Sequence, residues 1–111
     1  MESNPTFDKL RLELRRGVLV MAVLARLEAE HSGYSLRKRL NDDGIAIDEG
    51  TLYPLVRRLE AQGLLSSQWR EEGNRKKRFY RLTDSGRDVL HRLSEEWRLL
   101  GSALEPLLPK E

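Results

Sequence analysis

Cysteine is absent from this chain of 111 residues, which excludes disulfides, thiol nucleophiles and thiolate zinc sites together. Histidine is scarce: His31 and His91 stand far apart, with no carboxylate cluster at ligand spacing, and read as surface or capping residues. No glycine-rich phosphate loop occurs. The acidic pairs Asp42-Asp43 and Glu95-Glu96 lack any nucleophile or pocket motif, so they read as solvated faces or helix-end charges rather than acid–base pairs. An enzyme, a metal centre and a cofactor are therefore not expected. The lack of cysteine also fits a reducing cytoplasm.

Long hydrophobic runs are missing too. Arg15-Arg16 followed by the apolar run from Gly17 to Ala25 has the look of a twin-arginine signal or a membrane segment. That run falls far short of the roughly 20 residues a span requires. Asp8 and Glu13 precede it and Arg26 follows it, so it reads as part of a buried helix with no role in a membrane.

What remains is 39% hydrophobic and 34% charged, the balance of one folded domain with a modest core rather than of a disordered chain. The net charge is only +2, but its distribution is uneven. Between Arg70 and Arg81 the bases Arg70, Arg75, Lys76, Lys77, Arg78 and Arg81 are met only by Glu71 and Glu72. A local basic patch on a near-neutral chain marks a phosphate-facing surface.

The periodicities divide the chain as follows. Residues 1–6 read as a loose tail, and a first helix is expected from about Asp8 to Glu30, with Leu10, Leu14, Val18, Met21, Leu24, Ala25 and Leu27 on its apolar face. Gly17 within it points to close packing. Ser32 caps a second helix, Gly33 to Asn41, with Tyr34, Leu36 and Leu40 inward or along one edge. Ile45-Ala46-Ile47 alternates and is β-branched, as a brief strand beside the hairpin would be. Asp48 caps a third helix that stops at Gly63, with Leu52, Leu55, Val56 and Leu59 on its apolar face and Thr51, Tyr53, Arg57 and Arg58 on its polar face. Leu64 to Arg70 and Arg78 to Leu82 form a hairpin turning near Gly73-Asn74, with Phe79 and Leu82 buried and Arg78 and Arg81 outward. Thr83 caps a last helix whose apolar residues recur at Val89, Leu93, Trp97, Leu100 and Leu104, closed by Pro106 and Pro109.

This order is that of a mainly α fold with a small β-hairpin: a winged helix-turn-helix followed by a long C-terminal helix. Residues 1–82 form the expected DNA-binding unit and 83–111 a dimerisation helix and tail, in one compact body. The third helix is the expected recognition helix and the basic hairpin its wing.

Several motifs carry a resemblance to the PadR family of transcriptional regulators. They are Gly33-Tyr34-Ser35-Leu36, Glu49-Gly50-Thr51-Leu52-Tyr53-Pro54-Leu55, Arg58-Leu59-Glu60 with Gly63-Leu64, Trp69, and Lys77-Arg78-Phe79-Tyr80-Arg81-Leu82-Thr83 before Gly86. The chain resembles the short branch, with a single C-terminal helix. A member of that branch holds a drug between paired tryptophans at its dimer interface, and the resemblance places Trp97 there. It also implies that Tyr34 contacts phosphate, although a tyrosine at a helix start is as often a packing residue.

Thr51, Tyr53 and Arg57 are the candidates for reaching phosphates or base edges in a major groove about 12 Å wide. For Tyr53 the alternative is packing, and for Arg57 mere solvation. Arg75, Lys76 and Lys77 would meet phosphates or an adjacent minor groove. The apolar stripe of the last helix (Val89, Leu93, Trp97, Leu100 and Leu104) has no third layer to cover it, which implies a second copy, completed through Leu14 and Val18 of the partner's first helix. Trp97 with Leu14 and Val18 is the candidate seat of a flat aromatic ligand. The expected function is a homodimeric repressor of an inverted-repeat operator in double-stranded DNA. The alternatives are a protein-interaction module that keeps the winged helix without operator binding, and a dimer that only sequesters ligand.

Overall fold

The computed structural model describes residues 2–110. Its elements are α1 (Pro5–Arg26), β1 (His31–Ser32), α2 (Gly33–Asp42), α3 (Glu49–Ala61), β2 (Leu65–Glu72), β3 (Arg75–Leu82) and α4 (Asp84–Leu104), with a short 3-10 turn at Glu105–Leu107. The strands form one antiparallel sheet in the order β1-β3-β2. Helices and sheet together are a winged helix with a C-terminal arm.

Each helix begins where a side chain can satisfy the first free backbone N–H groups. Ser32, Asp48 and Thr83 cap α2, α3 and α4, accepting from the N–H groups of Ser35, Thr51 and Gly86. The Thr83 hydroxyl also donates to the Gly63 carbonyl at 2.7 Å, which ties the start of α4 to the end of α3. The first helix corrects the expected boundaries. Asn4 caps it and Pro5 opens it, so the loose tail is helical from Pro5 onward, and Met1 lies outside the described residues. It also stops at Arg26, four residues early, because the chain must turn there to lay β1 beside β3.

The expected strand at Ile45 to Ile47 is not one. The partner of the hairpin is His31–Ser32, set opposite Tyr80 and Phe79. Ile47 instead inserts into the core, and the Asn41 amide takes over its backbone, donating to the Ile47 carbonyl at 3.1 Å. Arg15 donates to the carbonyl of Ala46 at 2.6 Å and holds this loop against α1. Arg26 forks onto both oxygens of Asp43, joining the ends of α1 and α2, so Asp43 is a paired ion rather than a free helix-end charge. The hydrogen bond from Arg26 keeps the Asp43 carboxyl below the ordinary aspartate range.

The core lies where the helices meet the sheet: Val23, Leu24 and Leu27 of α1, Leu36 and Leu40 of α2, Leu52, Val56 and Leu59 of α3, and Leu65, Tyr80 and Leu82 of the sheet. Leu90 is the one α4 side chain buried with them. The part of α4 beyond Leu93 and the first half of α1 project beyond this core. The radius of gyration is 16.3 Å, against about 13 Å for a compact domain of this size. Leu10 and Leu14 are accordingly exposed, not covered by their own chain. Close packing at Gly17 is also not found, since a Cβ there would meet nothing within 4 Å.

Gly86 is the opposite case. A Cβ on it would lie 2.1 Å from the Leu64 carbonyl oxygen, a backbone atom that the Thr83 N–H also fixes. Gly86→Ala must therefore push α4 off the sheet, and we expect a loss of about 1–3 kcal/mol in chemical denaturation, the usual cost of overpacking. Gly17→Ala, by contrast, should not destabilise the monomeric fold.

Candidate nucleic-acid interface

The third helix buries Leu52, Val56 and Leu59, and its opposite side is open. The middle of that open side is formed by Gly50, Pro54 and Arg57. Thr51 and Tyr53, read together from the sequence, fall on opposite flanks. Thr51 borders a hollow shared with Arg16, Gly17 and Arg58 on the α1 side, whereas Tyr53 faces the wing. Proline within the helix forgoes the bond to the carbonyl four residues back, that of Gly50, at a cost of about 3 kcal/mol in an ordinary helix interior. Gly50 and Pro54 are thus small, exposed residues that make the helix low along its outer line. The sequence reading gave them no role, although a proline six residues into a helix was itself the signal.

Tyr53 is half-buried against the core. A Cβ on residue 33 would come within 2.9 Å of its ring, so a glycine at the start of α2 is what lets the tyrosine lie there. Packing and exposure are therefore combined in one side chain. Tyr34, on the next position of α2, is 63% exposed rather than inward, with the Arg37 guanidinium 5.7 Å from its ring centre. Tyr34, Tyr53, Arg57 and Lys77 all line one cleft of about 340 Å³ between α2, α3 and the wing.

The wing is longer than expected, running to Glu72 and back from Arg75 around a two-residue turn with Gly73 at φ +67°. Its pleat separates the three basic residues of the tip. Lys76 sits opposite Glu71 on the side that carries Trp69 and Arg78, while Arg75 and Lys77 share the other side with Arg70 and Phe79. Lys77 is paired with Glu72 at 3.3 Å, which leaves Lys76 and Arg75 as the tip cations without an ion pair among the described residues. The expected inward pair also changes: Tyr80 and Leu82 are buried with Arg78 above them, and Phe79 lies on the outer face beneath Arg70 at 4.7 Å. Arg78 and Arg81 do not share a face, because strand side chains alternate.

Arg78 is the junction between wing and recognition helix. It donates to Glu60 at 2.8 Å and to the Ser67 hydroxyl at 2.9 Å, and Ser67 in turn bonds the other oxygen of Glu60. Its guanidinium lies 5.6 Å from the Trp69 ring centre and 5.5 Å from that of Tyr80. Burial raises the Tyr80 phenol above its ordinary pKa, so it stays neutral beneath this cation. His31, whose imidazole contacts the Ser35 hydroxyl at 2.9 Å, is half-buried rather than a surface residue, and burial lowers its pKa.

These parts are those of a winged-helix DNA-binding domain, and comparison with known proteins decides which kind. The description of the transcriptional regulator PadR-like family matches residues 20–92, well over half of the chain. This protein belongs to the PadR-like family. A transcriptional regulator of Mycobacterium tuberculosis is 38% identical over 79 residues, covering 70% of this chain and 74% of that protein. The structure of a PadR family transcriptional regulator from Eggerthella lenta shows 45% identity and a TM-score of 0.86, over 96% of this chain and 95% of that one. A transcriptional regulator from Clostridium thermocellum follows at 30% identity and a TM-score of 0.78, covering 87% and 99%. PadR-like proteins are DNA-binding regulators of transcription, not enzymes. No helix among the described residues is long and apolar enough to cross a membrane.

The second grouping of sequence candidates lies along the arm. Leu14, Val18, Leu93, Trp97 and Leu100 line an apolar groove of about 350 Å³ between α1 and α4 of the same chain. A further hollow of about 270 Å³ continues it past Ala22, Leu90 and Trp97. Val89 packs on the core instead, and Leu104 stands exposed at the far end of α4.

Asp48 makes the start of the recognition helix sensitive to acid. Hydrogen bonds from Thr51, the backbone one foremost, hold its carboxyl below the ordinary aspartate value. A depressed folded pKa means the contribution is complete above the unfolded value of about 3.9 and is lost as pH falls through the folded one. In thermal melts on a descending pH series, Asp48→Asn should keep the cap while flattening the acid limb. Asp48→Ala should be less stable than the parent at neutral pH, and an unchanged acid limb in Asp48→Asn would refute the assignment.

Proposed function

We propose that this PadR-like protein is a homodimeric repressor that binds an inverted-repeat operator and lets go when a flat aromatic ligand enters the arm groove. The carrying observation is that Tyr34, Tyr53 and Arg57, drawn from two helices, converge on one cleft between the wing and the open side of the recognition helix. Residues 1–82 serve as the DNA-binding unit. In a two-fold dimer the two recognition helices would enter major grooves about 34 Å apart, and Thr51 would meet the duplex on the flank away from the wing. Arg75, Lys76 and Lys77 would add phosphate contacts that set affinity without specifying sequence. The work is that of a cytoplasmic protein acting on double-stranded DNA.

Residues 83–111 supply the dimer arm. Trp97 is 56% exposed, Leu14 73% and Leu100 60%, around an apolar groove that nothing among the described residues covers. A second copy supplies matching apolar surface from its own α1 and α4, as two-fold symmetry requires of a self-complementary patch. Val89, Leu93 and Leu104 extend the same stripe. Leu14, Val18 and Trp97 would seat the ligand, and a ligand that separates the arms would alter the spacing of the recognition helices.

The test is anisotropy of a labelled duplex taken from upstream of the protein's own gene, across a salt series, beside a scrambled duplex. Tight, salt-dependent binding that prefers the upstream duplex supports an autoregulating repressor. Equal binding to both duplexes contradicts autoregulation. Lys76→Ala should weaken every duplex and reduce the salt slope by about one. Trp97→Ala should shift the dimer toward monomer in sedimentation and abolish quenching by flat aromatic dyes, and retention of both properties would remove Trp97 from the interface.

A further inference from the structure

Trp69 lies outside the core. It is 63% exposed, yet it is held in position more firmly than an exposed side chain needs to be. The β2–β3 ladder fixes its backbone opposite Arg78, and the Arg78 guanidinium lies against its ring. Arg78 is itself anchored on Glu60 and Ser67. A cation so engaged with a carboxylate and two rings is a poor phosphate ligand, but a good support for an indole. The indole borders the cleft beside Tyr34 and Arg57, and among the described residues no acidic one lines that cleft. None of its lining residues belongs to the groove between α1 and α4.

We propose that Trp69 is a DNA-contact residue that packs its indole on the deoxyribose–phosphate backbone of a duplex, and that Arg78 is its positioning residue. This deepens the DNA-binding reading and rests on it. An apolar ring with Arg57 across the cleft and Lys76 on the same side of the wing matches a strand of deoxyriboses joined by phosphates. Burying a large apolar side chain adds affinity without releasing a counterion. Trp69 and Lys76, on one side of the wing, therefore differ in the kind of dependence they create.

The experiment compares the parent, Trp69→Phe and Trp69→Ala on a mixed-sequence labelled duplex, by anisotropy across a salt series. Acrylamide quenching of tryptophan emission is measured with and without saturating duplex, and melting curves confirm that each variant is folded. Trp69→Ala should bind about tenfold more weakly with the salt slope unchanged, and Trp69→Phe should lose less. Duplex should protect parent emission from acrylamide, and the protection should vanish in Trp69→Phe. Full duplex binding with no protection, or protection that persists in Trp69→Phe, overturns the proposal while leaving DNA binding intact. Protection by a polyglutamate peptide but not by duplex would overturn it in favour of an acidic protein partner. No duplex binding by the parent would overturn both readings together.

Discussion

The Arg78–Glu60 ion pair ties the wing to the recognition helix, and the shape of the candidate DNA face depends on that tie. Both side chains are partly shielded from water, at 34% and 24% exposure, so the pair is neither a loose surface contact nor a fully desolvated one. Its strength comes from geometry: Ser67 bonds both partners, and two aromatic rings flank the guanidinium. Removing one member would leave the other charge half-buried without its partner, which costs more than the pair itself contributes. The ladder between β2 and β3 keeps the wing straight, and this junction, the buried Leu65, Tyr80 and Leu82, the Arg70–Glu30 ion pair and the Leu82 N–H bond to the Leu27 carbonyl hold its base against the body.

From that junction the molecule divides its work by distance from the core. Side chains at the base of the wing and on the inner side of α3 are buried and fix shape. Tyr53 and Arg78 stand at the border, each with one side packed. Arg57, Lys76 and Tyr34 extend beyond it. On the arm the order is reversed, since the exposed groups there are apolar: Leu14, Trp97 and Leu100 form a surface that water does not favour. One end of the chain is thus suited to a polyanion and the other to another apolar surface, with Leu90 and Gly86 fixing the arm to the body.

Much of this was legible in the residues because local chemistry dictates it. Ser32, Asp48 and Thr83 announce helix starts through their own hydrogen bonds, and Gly63, at φ +81°, marks the stop after α3. Asn4-Pro5 carries the same kind of signal, a capping side chain followed by proline at the first helical position. The misplaced strand has a different cause. Ile45 to Ile47 has strand-like residues, but their burial is used to fill the core, while His31–Ser32 pairs with β3 only because α1 and α2 bring it there. Nothing local encodes that. The separation of Thr51 from Tyr53 follows directly from 100° per residue, and the role of Gly33 under the Tyr53 ring needed three dimensions.

The most direct test of the DNA face is a map of backbone amide NMR shifts as unlabelled duplex is added to isotope-labelled protein. The structure predicts changes concentrated at Tyr34, along Gly50 to Arg57, and from Trp69 through the wing tip to Arg78, with α4 beyond Leu93 little affected. Shifts centred instead on α1 and α4, with the wing and recognition helix silent, would contradict the assignment of the cleft to DNA.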